Sequence, residues 1–363
     1  MTLLTFNVIK IFFLSTMSAV FSFLLAPLLI GFLNKTKFWK KKAREKSITG
    51  EDATVFYSLH KEKETSAPRG GGVLIWGTVL LIILLVYFTS EISDIWWLKK
   101  MNFLSRSETW LPLFSILAGS IVGLADDYLT ISDKGKYIGG GITFIKRLAL
   151  VSLIGLVGGL WFYYKLGKSS ISIPLIFNFP EGIHLDIGIL YVPLFILVMV
   201  ACWSSGIIDG LDGLAGGLFA SVFSALTIIA FSQGKINLAS FCAVILGSLF
   251  SFLWFNIPPA KFYMGETGVL GLTSTMAVAA FLTDSVAVLP IIALPLVITV
   301  ATTILQVLSK KYRGKKIWLS TPIHHHFEAM GWPSYKVTMR FWIFGVVSAI
   351  LGVAIRLLAQ NGF

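Results

Sequence analysis

Adjacent carboxylates at Asp126 and Asp127 are the first feature of the sequence that could do chemistry. Two neighbouring acids repel each other, and a cation or water nearby relieves the repulsion. Magnesium prefers one or two carboxylates together with substrate phosphates, and an acid pair at a helix end suits that preference. Taken alone, the pair is equally well explained as a solvated helix end, so its meaning depends on the other acids.

Three further acids lie in glycine-rich segments. Asp209 and Asp212 stand three residues apart in the run Asp-Gly-Leu-Asp-Gly, which puts them on one face if the segment is helical. Glu266 lies between two glycines just before an apolar run and is a candidate metal ligand. The glycines allow a phosphate or the backbone to approach closely. Tyr263 and its aromatic neighbour could stack on a nucleobase, or belong to an aromatic belt at the membrane interface.

Three consecutive histidines, His324, His325 and His326, form the fourth candidate group. Consecutive residues do not share one helical face, so the run does not provide helical zinc-ligand spacing. We expect a turn that presents imidazoles to a phosphate.

The elements that must position these groups are membrane-spanning helices. The chain has 363 residues, of which 56% are hydrophobic and 13% charged, and its mean hydropathy is +0.81. An ordinary soluble protein carries about 25% charged residues, and a bilayer core requires roughly 20 apolar residues per helix. We therefore predict an all-α polytopic membrane protein with about ten transmembrane helices, over Val8–Leu33, Gly72–Thr89, Leu111–Ala125, Phe144–Tyr164, Leu190–Ser204, Leu214–Phe231, Leu238–Phe255, Val269–Leu282, Val286–Leu308 and Arg340–Leu358.

The distribution of positive charge predicts the orientation of these helices. The net charge is +12, and 22 of the 30 basic residues fall in alternate loops, which the positive-inside rule places in the cytoplasm. Both termini are then extracytoplasmic. All four candidate groups lie on the cytoplasmic side, where basic residues attract anionic lipids and could also attract a polyanionic substrate. The predicted cytoplasmic loops span about 34–69, 126–147, 205–213, 256–268 and 309–340.

The rest of the chain adds little chemistry. Residues 169–188 alternate apolar and polar side chains around turn residues, which predicts a short extracytoplasmic β-hairpin. Cys202 and Cys242 both lie in apolar runs and indicate neither a disulfide framework nor a metal pair. We predict one transmembrane domain over residues 1–363.

At its four candidate groups the sequence resembles the polyprenyl-phosphate N-acetylhexosamine-1-phosphate transferases. The run Pro322–Glu328, with the later Gly331-Trp332-Pro333 and Arg340-Phe341-Trp342, is similar to the branch that uses UDP-N-acetylmuramoyl-pentapeptide. The order and spacing of the motifs match over nearly the whole chain.

The resemblance implies that undecaprenyl phosphate attacks the β-phosphorus of the UDP-sugar, giving a lipid-linked peptidoglycan precursor and UMP, with Mg²⁺ as cofactor. It implies a multi-pass protein of the bacterial plasma membrane with a cytoplasmic site, surrounded by lipid, without a nucleic-acid partner; a homodimer stays open. The implied catalytic residues are Asp126, Asp127, Asp209, Asp212, His324 and His325. The implied metal ligands are Glu266 and Asp209, and the implied substrate contacts are Asn256, Tyr263, Lys146, His326 and Arg69.

Several positions depart from the family pattern. Thr130 replaces a lysine, although Lys134 and Lys136 follow, and Glu266 replaces an aspartate. Trp203 and Gly206 replace two asparagines, and Tyr263 a phenylalanine. These changes fall in the nucleotide-handling region and concern substrate detail more than the fold.

Two alternatives remain open. Arg69, in the run Ala67-Pro68-Arg69-Gly70, is closer to relatives that use UDP-N-acetylglucosamine, whereas the histidine run opposes that assignment. A transporter or a non-catalytic lipid-binding relative is the third interpretation. Transporters tend to break helices at mid-membrane, whereas these acids collect at the ends of the apolar runs.

Overall fold

The computed structural model describes residues 2–39, 67–132, 141–174 and 182–361, with side chains up to 359. Most of the predicted first cytoplasmic loop, together with Lys134 and Lys136, lies outside the described residues. The helices are α1 (Leu3–Lys35), α2 (Gly72–Ile92), α3 (Trp96–Met101), α4 (Trp110–Ile131), α5 (Phe144–Leu160), α6 (Tyr191–Ser204), α7 (Leu214–Ser232), α8 (Ile236–Asn256), α9 (Gly265–Leu282), α10 (Leu289–Ile292), α11 (Leu294–Arg313), α12 (Ile323–Ala329) and α13 (Ser334–Asn361).

Ten of the helical segments in the described ranges are long and apolar enough to cross a bilayer. They confirm the prediction of a polytopic, mostly helical membrane protein. The predicted hairpin is confirmed too: β1 (Ser170–Ile173) pairs antiparallel with β2 (Ile183–Asp186), with Ser170 opposite Asp186. The tip of the hairpin lies outside the described residues.

Helix α9 runs through the middle of the bundle, with nearly every residue buried. It packs most extensively on α4, and small residues allow the two backbones to come close. A Cβ at Gly119 would lie 2.6 Å from the Leu270 carbonyl oxygen, and one at Gly123 would overlap the Glu266 carbonyl. Glycine at these positions therefore permits the close crossing that brings the acidic end of α4 to the start of α9.

The ends of several helices differ from the sequence prediction. Helix α4 continues to Ile131, so Asp126 and Asp127 lie within its last turns and not after it. Helix α9 begins at Gly265, four residues earlier than expected, which places Glu266 in its first turn and not in a loop. Charged side chains end an apolar run but do not break a helix, because its backbone hydrogen bonds continue through them.

The helix bundle has two ends that contain different elements. The site end contains the last turns of α4, the start of α9 and helix α12. The hairpin end contains β1, β2 and the end of α9.

Candidate active site

Asp127 joins α4 to the start of α9. Its Oδ1 accepts a hydrogen bond from the Glu266 backbone N–H at 3.1 Å, and its Oδ2 accepts one from Thr267 N–H at 3.0 Å. The side chain is fully buried, with Arg69 Nη1 3.9 Å away. Carboxylates at a helix N-terminus satisfy its free N–H groups and oppose the positive end of the helix dipole. Asp127 therefore fixes the first turn of α9 against α4.

Asp126 meets Glu266 through a shared arginine. Arg147 Nη2 lies 3.3 Å from Asp126 Oδ1, and Arg147 Nη1 lies 2.9 Å from Glu266 Oε1. Asp126 Oδ1 also accepts a hydrogen bond from Ile142 N–H at 2.7 Å. Two carboxylates from different helices thus share one guanidinium, whose planar fork suits them both.

Arg147 was missed by the sequence analysis, which named its neighbour Lys146 as a substrate contact; that contact stays a prediction. Adjacent residues on α5 point about 100° apart, so only one of the two can face the acids. The structure places Arg147 against α4 and α9, while Lys146 is exposed. The first turn of α5 contains two adjacent basic residues, so the sequence does indicate a cation here. It does not show which of the two side chains faces the acids.

Asp209 lies in the turn between the 3₁₀ segment Ser205–Ile208 and α7. This turn is not helical, so the condition for placing Asp209 and Asp212 on one helical face is not met. Burial raises the pKa of Asp209 to about 6, while Arg69 and the Gly265 N–H oppose that rise and Glu266 adds to it. Asp209 therefore belongs electrostatically to the same cluster as Glu266 and Arg69.

Asp212 and Asn256 bond mainly to the chain itself. Asp212 Oδ2 accepts a hydrogen bond from Ala260 N–H at 3.4 Å. Asn256 accepts from Gly213 N–H at 3.0 Å and donates to the Phe262 carbonyl at 2.8 Å. Both ends of the Asn256 amide are occupied, which ties the loop before α7 to the loop before α9. A nucleotide contact by Asn256 stays a prediction.

Arg69 and Tyr263 are joined through the backbone around them. Tyr263 N–H donates to the Pro68 carbonyl and Gly71 N–H donates to the Tyr263 carbonyl, both at 2.8 Å. A Cβ at Gly71 would overlap the Phe262 ring, so the two segments fit closely only with glycine there. These backbone hydrogen bonds hold the segment that contains Arg69 near the start of α9.

The histidines lie on the short helix α12 and not on the expected turn. His324 and His325 approach Gly210, where a Cβ would be 2.6 Å and 2.8 Å from their Nε2 atoms. His325 Nδ1 is 2.8 Å from Glu328 Oε2, which orients the ring. The histidine pair is therefore next to Asp209.

His326 points elsewhere on the same helix. Its Nδ1 accepts a hydrogen bond from the Leu319 N–H at 3.2 Å. The divergence agrees with the expectation that three consecutive histidines do not share a face. A substrate contact by His326 stays a prediction.

At two of the positions that depart from the family pattern, the structure shows apolar packing. Trp203 is buried, with its ring centroid 5.5 Å from that of Phe144. At Gly206 a Cβ would overlap Val269 Cγ1. Hydrophobic packing with α5 and α9 thus replaces the two amide side chains.

The donor chemistry at the start of α9 suits a hard divalent cation. In the described ranges, no three His, Cys, Asp or Glu side chains converge closely enough to form a complete metal cage. Magnesium does not need one, since it is usually held by one or two carboxylates, waters and substrate phosphates. Glu266, whose side chain is 29% exposed, and Asp209 fit that pattern.

Comparisons with known proteins identify relatives of this chain. Residues 109–284 match the model of glycosyl transferase family 4. The chain is 31% identical to the phospho-N-acetylmuramoyl-pentapeptide-transferase of Anoxybacillus flavithermus, over 95% of this chain and 98% of the relative. Proteins of the same name from Geobacillus sp. and Bacillus subtilis are each 32% identical, over 94% and 95% of this chain and 96% and 98% of theirs.

Proposed function

Because the chain belongs to glycosyl transferase family 4, we propose that it transfers phospho-N-acetylmuramoyl-pentapeptide from its UDP derivative to undecaprenyl phosphate. A lipid phosphate oxygen forms a bond to the β-phosphorus, and the bond from that phosphorus to the bridging oxygen breaks. The products are the lipid-linked diphosphate and UMP. A multi-pass protein of the bacterial plasma membrane with its site end in the cytoplasm would meet both substrates.

One observation carries the proposal: acids and cations from separate chain segments meet at the first turn of α9. Asp126 and Glu266 share Arg147, and Asp127 lies near Arg69. Phosphoryl transfer depends mainly on positioning and on neutralising charge. Carboxylates that can hold a cation, together with arginines that face phosphate oxygens, provide both.

The roles follow from this placement. Asp126 would orient the lipid phosphate or accept its proton, while Asp127 holds α9 in position. Arg147 and Arg69 would bind phosphate oxygens, and His324 and His325 would meet the diphosphate from the side of Gly210. Glu266 and Asp209 would hold Mg²⁺, which supplies charge neutralisation on the diphosphate when bound.

Transfer of N-acetylglucosamine-1-phosphate is the second candidate. Arg69 favours it, because the run around this residue resembles relatives that use UDP-N-acetylglucosamine; its guanidinium lies 3.9 Å from Asp127 Oδ1. The histidine pair beside Gly210 favours the muramoyl substrate, as does the similarity over nearly the whole chain.

One assay separates these candidates from a non-catalytic lipid-binding relative. The purified protein is incubated with polyprenyl phosphate, Mg²⁺ and either UDP-N-acetylmuramoyl-pentapeptide or UDP-N-acetylglucosamine, and UMP is measured. We expect UMP with the muramoyl substrate. UMP only with N-acetylglucosamine would select the second candidate, and no UMP with either would contradict both.

A further inference from the structure

An apolar cavity lies behind the histidine helix, between α11, α12 and α13. Its volume is about 330 Å³, and Ile298, Ile323, Phe327 and Phe344 are among the side chains around it. Ile323 and Phe327 are four residues apart on α12 and therefore share a face. A cavity of this size and lining is large enough for part of a hydrophobic ligand.

Arg340 at this cavity and Lys336 beside it have no acidic partner among the described residues. Arg340 lines it, with Cζ 4.2 Å from the centroid of the Trp332 ring, and Lys336 Nζ lies 5.3 Å from the same ring. In the part of the chain that the structure describes, neither one forms an ion pair with a carboxylate. The charge at this position is therefore available to an anion.

The same surface faces lipid. Helix α13 is a candidate membrane span, and its side chains Met339 and Ile343 are 59% and 67% exposed. Phe344 and Arg340 both line the cavity and are exposed at the surface of the bundle. A lipid chain could thus enter from the bilayer while its head group stays beside Arg340.

We propose that this cavity binds one acyl chain of an anionic phospholipid, whose phosphate is held by Arg340 and Lys336. Basic residues next to a membrane attract anionic lipids, and a tryptophan beside them is typical of the interface. A non-reacting lipid is favoured over the polyprenyl substrate. The reason is that the cavity is lined by Phe327 and by the Trp332 ring stacked on it, whereas His324 and His325 approach Gly210.

Occupancy of the cavity would bear on the active site. The lipid chain would contact Ile323 and Phe327 and so restrain α12. The same helix places His324 and His325 next to Gly210. Filling a cavity restores dispersion contacts that the empty cavity lacks. Anionic lipid should therefore stabilise the protein and, if the proposed function is right, raise its transfer rate.

The test compares the full-length protein in nanodiscs of phosphatidylglycerol with the same protein in nanodiscs of phosphatidylcholine. Lipid retained after extraction is counted by native mass spectrometry, and thermal unfolding is followed in parallel. We expect phosphatidylglycerol to be retained and to raise the Tm of the parent by several degrees. Arg340→Gln with Lys336→Gln should lose most of both effects, whereas the matched pair Arg313→Gln with Lys315→Gln, exposed at the same end, should keep them.

A second variant tests the acyl-chain part of the proposal. Ile298→Trp fills the cavity while leaving both cations, and it should also lose the retained lipid; if it does not fold, the charge variants decide alone. Equal retention in the Arg340/Lys336 variant and the parent overturns the site, as does equal retention of phosphatidylcholine. Displacement by added polyprenyl phosphate would assign the cavity to the substrate instead. None of these measurements needs transfer activity, so an inactive protein would contradict the proposed function and leave this inference intact.

Discussion

The two ends of helix α9 are held by opposite charges. At the site end, Asp127 accepts hydrogen bonds from two N–H groups of the first turn. At the hairpin end, Lys235 donates to the Leu282 carbonyl, and Gln233 and Arg356 donate to the Thr283 carbonyl. Both arrangements match the helix dipole, which is positive at its start and negative at its end.

The two ends differ in what remains after the dipole is satisfied. At the hairpin end, Asp284 is held by the fold: it accepts a hydrogen bond from Ser172 N–H and lies 3.7 Å from Arg356. At the site end Asp126, Asp209 and Glu266 share two arginines. At the hairpin end, paired charges hold the helix in place. At the site end, the acids outnumber the partly exposed arginines, which leaves groups that can bind phosphate and a cation.

The largest expected effect is the loss of turnover in Asp126→Asn, set against Asp284→Asn. The first change preserves shape but removes a charge at the site end, so transfer should fall below detection. The second removes the acid at the hairpin end and should leave the rate within about threefold. The measurement is the rate of UMP release, with thermal unfolding as the control for folding.

A rate for Asp126→Asn within about tenfold of the parent would exclude an essential role, since tenfold corresponds to only about 1.4 kcal/mol of barrier. A large loss in Asp284→Asn with unchanged unfolding would show that the hairpin end also takes part in the chemistry.

Glu266→Gln should lower turnover by at least two orders of magnitude, about 2.7 kcal/mol of barrier. The change removes a candidate ligand and weakens the ion pair with Arg147. Glu266→Asp should keep a substantial part of the activity, because the charge remains and only its reach is shorter. Turnover is measured against magnesium concentration for both variants. Parental rate and parental magnesium dependence in Glu266→Gln would contradict the ligand assignment.

The adjacent residues Lys146 and Arg147 on α5 should differ in their effect on the transfer rate, by less than the changes above. Arg147→Gln should slow transfer about tenfold or more, because two acids lose their shared cation. Lys146→Gln, with the same charge change one residue away and exposed, should stay within about twofold. Steady-state kinetics of the two variants decide the matter. The reverse order would support Lys146, the residue that the family resemblance implied.

The smallest effect is a pH dependence of stability at the hairpin end. Burial, with a contribution from Lys168, lowers the pKa of Lys235 to about 8 from its usual 10.5. A lysine whose pKa is lower in the folded state costs stability when protonated, and that cost disappears as pH rises from about 8 towards 10.5. Between pH 7.5 and 9.5 the Tm of the parent should therefore rise relative to that of Lys235→Met, followed by thermal unfolding. Parallel Tm curves would refute the shift.

The histidine helix shows where sequence reasoning stopped. The spacing correctly indicated that three consecutive histidines cannot share a face, and His326 does diverge. The expected turn was wrong, because seven residues that form one short helix carry too little periodicity to distinguish helix from turn. The approach of His324 and His325 to Gly210 joins residues more than a hundred positions apart, and no local pattern encodes such a contact.

The sequence by itself determined the ten apolar segments, the hairpin and the identity of the acids. The length of an apolar run and the cost of burying charge are local properties that can be read residue by residue. Only the tertiary structure decided that Arg147 and not Lys146 meets Asp126, that Asp127 caps α9, and that Asn256 bonds within the chain. Those choices depend on how each helix is rotated and how closely α4 and α9 approach, and packing of the whole bundle sets both.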